Sequence, residues 1–344
     1  MKRLRLPEGR VGRLLLVLLP ILLIVALVVW RSPDAGVLER AFRAVEWEWV
    51  AVAVAVNLFS VIVRARAWNV VIRQAVPPPW PRSRTVFSAF CIGLLGNAAL
   101  PGRVGELARV AVVTRHVRRR PGTWATIVGT VFAHRLFDVV VAVALVVFTL
   151  YTAPIPGWAE PVLAVVIGIG LGLLLASFLL ARREPGPVED EHGPLRRLLH
   201  MARHGLTVLR RPGPALAALA LQLVGWVAQL VAVYAAMLAF GIGASVPEAA
   251  LVLVIMNLVG ILPFWPGNVG LVQAAVAAAL LPYGVSYGHG FLFGIGLQAI
   301  EVSVGIGLGF FFLAREGFTF AMLRRMPEVT DVDIDDHERV ERIA

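Results

Sequence analysis

From Leu14 to Leu313 the chain keeps returning to apolar runs, and most of those runs end at arginine. A helix of about 20 apolar residues crosses the hydrocarbon layer of a bilayer. Inside that layer an unpaired backbone N–H or C=O costs several kcal/mol, so each run has to satisfy its own backbone. The chain therefore reads as an all-α polytopic membrane protein. Composition agrees, with 58% hydrophobic and 16% charged residues over 344 positions, and a mean hydropathy of +0.79. No stretch outside the apolar runs has room for a large soluble catalytic domain. The net charge is +10, and Lys2 is the sole lysine. The arginines sit between apolar runs, which puts them on a cytoplasmic membrane face rather than on nucleic acid. The single Cys91 excludes an internal disulfide and a CxxC metal pair.

Two of the apolar stretches are interrupted in the same way. Pro101-Gly102-Arg103-Val104-Gly105 follows the run Val86 to Leu100, and Pro266-Gly267-Asn268-Val269-Gly270 lies inside the stretch Leu251 to Leu281. Proline lacks an N–H and glycine has no side chain to restrict it, so both end helices. Breaks at corresponding positions of two halves point to a transporter binding site. The plainer alternative at each position is an ordinary loop between two spans. Pro101, Gly102, Gly105, Pro263, Pro266, Gly267 and Gly270 are the expected turn-forming residues.

Charge orients the rest. Residues 1–13 are expected in the cytoplasm, followed by an uncleaved first span from Leu14 to Trp30. Arg31 to Glu48 is expected to lie as a helix on the outer surface, with Trp47 and Trp49 in an interfacial belt. The second span is expected from Trp49 to Val63, ending at Arg64, Arg66 and Arg73. Val86 to Leu100 is short for a span and has arginines on both sides, so it is expected to dip in and return. Thr123 to Thr152, Val162 to Leu180 and Ala215 to Phe240 are further spans. Gly241 to Gly288 holds no Arg or Lys. Its arms, Ala249 to Leu262 and Val269 to Leu281, are expected to form a second hairpin, opening outward. Phe291 to Leu313 is the last span.

The expected fold is six full spans with two opposed re-entrant hairpins. A membrane domain, 14–318, would hold two halves at about 49–181 and 214–314, joined by a cytoplasmic loop, 182–213. The acidic tail, 319–344, is expected to be cytoplasmic and disordered. Arg135 and Asp138 follow Pro101 by 34 and 37 positions, and Gln298 and Glu301 follow Pro266 by 32 and 35. The spans before the two turns run in opposite directions, which makes an inverted repeat of the kind used for alternating access.

The candidate binding residues are Asn97, Arg103, Glu106, Arg109, Arg135, Asp138, Asn257 and Glu301. An anionic lipid head needs positive charge at membrane depth, and the planar fork of arginine gives phosphate two hydrogen bonds at once. Glu106 can pair with Arg103 or Arg109 at i, i+3, and Arg135 with Asp138 at the same spacing. Ionisable groups inside a membrane are costly and functional by default; the alternative is that these pairs only knit the bundle. Glu301 has no basic partner in its own span, and either carries a proton or faces Arg135 or Arg103 across the repeat. Asn97 and Asn257 are expected to cap broken backbone near the turns. His134 is expected to be structural. No catalytic residue, metal site or cofactor is expected.

Several runs resemble a known family. Arg64-Ala65-Arg66-Ala67-Trp68, then Asn97-x-x-Leu100-Pro101-Gly102-Arg103-Val104-Gly105-Glu106-x-x-Arg109, then Arg135-x-x-Asp138 resemble the transmembrane domain of lysylphosphatidylglycerol synthases. Asn257 to Leu262-Pro263 with Pro266-Gly267-x-x-Gly270 resembles its second signature, and the likeness covers roughly residues 10–318. The family usually has an acid where this chain has His134, and often Glu where it has Gln273. The resemblance implies a stand-alone membrane domain that moves an anionic phospholipid derivative or a polyprenyl-phosphate lipid between leaflets. It implies the plasma membrane, with both termini cytoplasmic, and does not carry the synthase reaction over. Two rival readings are a membrane-embedded lipid-modifying enzyme and an accessory subunit of a partner synthase. The sequence leaves the oligomeric state open.

Overall fold

The structure is a computed structural model that describes residues 44–100, 104–118, 123–155, 157, 159–182, 206–243, 245–261 and 266–316. The expected first span, most of the surface segment Arg31 to Glu48, most of the loop 182–213 and the tail lie outside these residues. So do Pro101, Gly102, Arg103 and Pro263.

Every regular element among the described residues is helical. The first half consists of α1 (Trp47–Ala75), α2 (Ser83–Ala99), α3 (Gly105–Arg115) and α4 (Thr123–Thr152). α5 (Ala159–Arg182) follows. The second half consists of α6 (Pro212–Ala239), α7 (Val246–Ile261), α8 (Leu271–Leu280) and α9 (Tyr287–Arg315). Of these, α1, α4, α5, α6 and α9 are long and apolar enough to cross a membrane. α1 corrects one expectation: it runs to Ala75, so Arg64 lies within the helix and not at the end of a span finishing at Val63. Alanine and valine fill most of its turns, and the arginines do not stop it because Arg64 finds partners inside the bundle. Trp47 and Trp49 are exposed at its start, where interfacial rings sit.

The two halves repeat in order and in length. α1 to α4 have 29, 17, 11 and 30 residues, and α6 to α9 have 28, 16, 10 and 29. α1 and α6 pack along each other and run antiparallel. Gln74 at the end of α1 accepts a hydrogen bond from Arg211 before α6 (3.2 Å), and Ser60 near the middle donates to the Gly225 carbonyl (2.7 Å). The halves also trade contacts: α2 packs on α9, and α7 packs on α4. One apolar core, around Trp68, Ile72, Phe90, Ile92, Leu95 and Ile127, is completed by Val304 and Leu313 of α9. The other, around Met237, Leu253, Leu280, Phe293 and Leu297, takes in Val141 of α4. Each half thus contributes an arm to the other's core.

Among the described residues the two breaks differ at their last glycine. α2 and α3 meet at Gly93, Gly96 and Gly105. A Cβ on Gly105 would lie 1.9 Å from the Gly93 carbonyl oxygen, and one on Gly96 would lie 2.7 Å from the Gly105 Cα. Gly105 is therefore needed for close approach at the start of α3 rather than for an unusual backbone angle. At the second break Gly267 and Gly270 have φ of +67° and +90°, with Asn268 between them at +46°. Glycine adopts that left-handed region without steric cost. α5 packs on α4 and leaves Val165, Ile169, Leu171, Leu173 and Leu175 exposed, an apolar face suited to lipid.

Candidate functional site

Asp138 is the hub of a polar chain through the bundle. Its Oδ1 accepts from Arg64 Nη2 at 3.0 Å and from Trp226 Nε1 at 2.9 Å, and also from Gln222 Nε2. Its Oδ2 accepts from Arg135 Nη1 at 3.0 Å. Arg135 also donates through Nη2 to Glu106 Oε1, and Glu106 pairs through Oε2 with Arg109. Asn97 donates to Glu106 at 3.4 Å. Five helices, α1 to α4 and α6, supply these residues.

Arg109 is 3% exposed, and its guanidinium carbon stands 4.7 Å from the Trp68 ring centroid and 5.7 Å from that of Phe90. The Trp68 indole N–H donates to Thr130 Oγ1 at 3.1 Å, which fixes that ring. A delocalised guanidinium is weakly hydrated and stacks well on aromatic faces, so arginine is the cation suited to such burial. His134 is buried edge-on to Phe90, with centroids 5.9 Å apart, and neither of its nitrogens has a hydrogen-bond partner among the described residues.

On its other side Arg64 reaches the second half. Its Nη1 donates to Gln229 Oε1 at 3.2 Å, and Gln229 Nε2 donates to Glu301 Oε1 at 3.0 Å. Asn57 Nδ2 lies 3.4 Å from the carbonyl oxygens of Ile300 and Glu301. The contacts therefore continue from Arg109 through Glu106, Arg135, Asp138, Arg64 and Gln229 to Glu301.

The second break has a neutral counterpart. Gln298 donates to the Gly267 carbonyl and accepts from Gln273, and Gln273 accepts from the Gly270 N–H at 2.6 Å. Asn268 donates to the Val259 carbonyl at 2.8 Å and so ties the turn back to α7.

Of the expected residues, the structure gathers Asn97, Glu106, Arg109, Arg135 and Asp138, and joins Glu301 to them through Gln229. Glu301 faces neither Arg135 nor Arg103 directly: an amide stands between it and Arg64, and Arg103 lies outside the described residues. Asn97 reaches Glu106 rather than free backbone. Asn257 is absent from the chain of contacts; its amide donates back to the Leu253 carbonyl at 2.9 Å, and Asn268 does the bridging expected of it. Arg64, Trp68, Gln222, Trp226 and Gln229 complete the site. A signal for them was present: Asn57 and Arg64 are seven apart on α1, and Gln222 and Gln229 are seven apart on α6, each pair on one helical face.

Residues 15–309 match the family described as the lysylphosphatidylglycerol synthase TM region. The chain belongs to that family. It is also 25% identical over 294 residues to a UPF0104 membrane protein of Methanothermobacter thermautotrophicus, covering 80% of this chain and 84% of that one. No solved structure matches the chain. The family is a multi-pass membrane domain, in agreement with the five long apolar helices.

Proposed function

We propose that the protein is a lipid transporter that moves an anionic lipid head group between leaflets by alternating access. The head would be that of a phospholipid derivative or a polyprenyl phosphate. The observation that carries this reading is the continuous chain of arginines and carboxylates, part-buried to buried, that runs between helices of the bundle. Buried ion pairs are a poor way to gain stability, since apolar residues of similar volume do as well or better. Three arginines held in one chain of contacts instead offer an anion ready-made partners once the pairs part. The family match supports a membrane lipid role and leaves the substrate to experiment.

In this reading α2–α3 and α7–α8 are the two re-entrant hairpins, each about 25 Å or less in its longer arm and so short of the ~30 Å hydrocarbon layer. On the same reading the arginine-rich side and both termini face the cytoplasm, in keeping with the positive-inside bias, and the membrane is the plasma membrane. The halves correspond to about 49–181 and 214–314. A partner synthase would act before or after transport, and the protein itself would not be an enzyme.

The test is leaflet exchange. Purified protein is placed in liposomes containing labelled anionic lipids, including a polyprenyl phosphate, and compared with Arg135→Gln. Glutamine already occupies the matching place at 298, so the variant is built from a side chain the fold accepts. Fast exchange by the wild type, slowed at least about tenfold in the variant (about 1.4 kcal/mol), is the expected result. No exchange of any lipid by folded protein overturns the reading.

A further inference from the structure

Glu301 differs from the other two carboxylates of the site in one respect. Glu106 contacts Arg109 and Arg135, and Asp138 contacts Arg64 and Arg135. Among the described residues the Glu301 carboxylate meets only an amide, that of Gln229, whose other end holds Arg64. Arg64 thus lies between two acids, bonded to one and separated from the other by a single side chain. Asp138 and Glu301 also occupy matching places in α4 and α9, 163 positions apart.

Charge balance gives this arrangement a consequence. Among the described residues the site holds Arg64, Arg109 and Arg135 against Glu106, Asp138 and Glu301, which is neutral when all are ionised. An anionic head entering a neutral cluster at membrane depth would leave one negative charge uncompensated, and buried uncompensated charge is expensive. We propose that the site takes up one proton, at Glu301, together with each anionic head group, and that Arg64 passes between Asp138 and Glu301 in the cycle. This rests on the transport reading above.

The step balances. A proton from water bonds to a Glu301 carboxylate oxygen, and the site gains one positive charge that the head group neutralises. When the head leaves, the proton returns to water and the carboxylate draws Arg64 toward it. Asp138 is equipped to release Arg64, because Arg135, Gln222 and Trp226 still donate to it. Among the described residues the polar groups that the elements packed against α9 bring toward Glu301 are few. α1 brings Arg64 and Asn57, and α6 brings Gln229. α8 brings Gln273, held on Gln298, and α2 brings Cys91, whose carbonyl lies beside Gly309 about two turns away. α4 acts on it through Asp138 and Arg64.

The experiment is a binding titration of the full-length protein in detergent micelles with short-chain phosphatidylglycerol, with phosphatidylcholine of equal chain length as control. The dissociation constant is measured from about pH 5 to about pH 8. Expected is an affinity for the anionic lipid that falls about tenfold per pH unit above a turning point. Glu301→Gln should flatten the profile at the tight limit, and Glu301→Asp should keep the slope with a shifted turning point. In weakly buffered solution an indicator dye should record about one proton taken up by the wild type per lipid bound; this readout needs no variant to fold. A pH-independent constant, or no proton uptake, overturns the proposal and leaves lipid binding standing. A slope that persists in Glu301→Gln moves the proton elsewhere, to His134 first, and also overturns it. No binding at any pH by folded protein, of phosphatidylglycerol or of a short-chain polyprenyl phosphate titrated in the same way, defeats the transport reading and this proposal with it.

Discussion

The first and second halves follow one helix plan with different chemistry at the crossing. In the first, Arg135 on α4 binds Glu106 at the start of α3 and Asp138 on its own helix. In the second, Gln298 on α9 binds Gln273 near the start of α8 and the Gly267 carbonyl. Both arrangements tie a long span to a broken hairpin. One does so with charges that have strong reasons to find partners, the other with neutral amides. The break sites differ too: Gly105 is squeezed between two helices, whereas Gly267 and Gly270 turn the chain through positive φ. The last glycine of the shared spelling therefore serves close packing in one half, at Gly105, and backbone turning in the other, at Gly270. The shared helix order and lengths leave each half free to specialise in its polar contacts.

The largest break in this comparison should come from Asp138→Ala. It leaves Arg64 and Arg135, both only part-buried, without their common acceptor and strips the buried Gln222 and Trp226 of theirs, and about 3 kcal/mol of stability should be lost. The change in the matching place, Glu301→Gln, removes no arginine contact and should stay within about 1 kcal/mol of wild type. Thermal unfolding in detergent, followed for both variants, measures the difference; equal losses would show the halves to be energetically alike.

Next come the glycines. Gly105→Ala puts a methyl into the Gly93 carbonyl, and prying α2 from α3 should cost about 1–3 kcal/mol. Gly270→Ala has open space around the new methyl but a φ of +90°. That is a backbone cost, of about 1–2 kcal/mol. Replacing Gly270 by Asn, which tolerates left-handed angles better, should recover part of the loss, whereas Gly105→Asn should be worse than Gly105→Ala. Failure of that crossing pattern would remove the distinction between packing and turning.

The smallest expected effect is at the neutral tie. Gln298→Ala removes amide hydrogen bonds to a carbonyl and to Gln273 and should cost about 1 kcal/mol. Its mark should be local: hydrogen exchange at the Gly270 amide, which is held by Gln273, should quicken while exchange in α1 stays unchanged.

Much of this was legible in the residues themselves. Hydropathy and arginine placement gave the long helices, the Pro-Gly spellings gave the breaks, and the i, i+3 spacings gave the Arg135–Asp138 and Glu106–Arg109 pairs. Arg64 was not legible, because an arginine after an apolar run is read as a membrane edge. Its helix continues to Ala75, and the partners that permit this, Asp138 and Gln229, lie 74 and 165 positions away. Gln222 and Gln229 were missed for a related reason. Neutral amides barely dent the hydropathy of a span, yet they decide which carboxylates share an arginine. Asn268, rather than Asn257, anchors the second turn because its own φ of +46° swings its side chain at the break back to α7.

The Ser60–Gly225 contact, where α1 and α6 cross, has a mechanical meaning. Its two residues occupy matching places in the halves, 165 positions apart, and touch each other. A point that a symmetry operation carries onto itself stays put when the objects it relates exchange shapes. If the halves trade conformations, this contact is the fulcrum, and displacement grows with distance along either arm. Pairs of labels across it should record a constant separation, while labels near Trp47 and Ala239 should record the full swing.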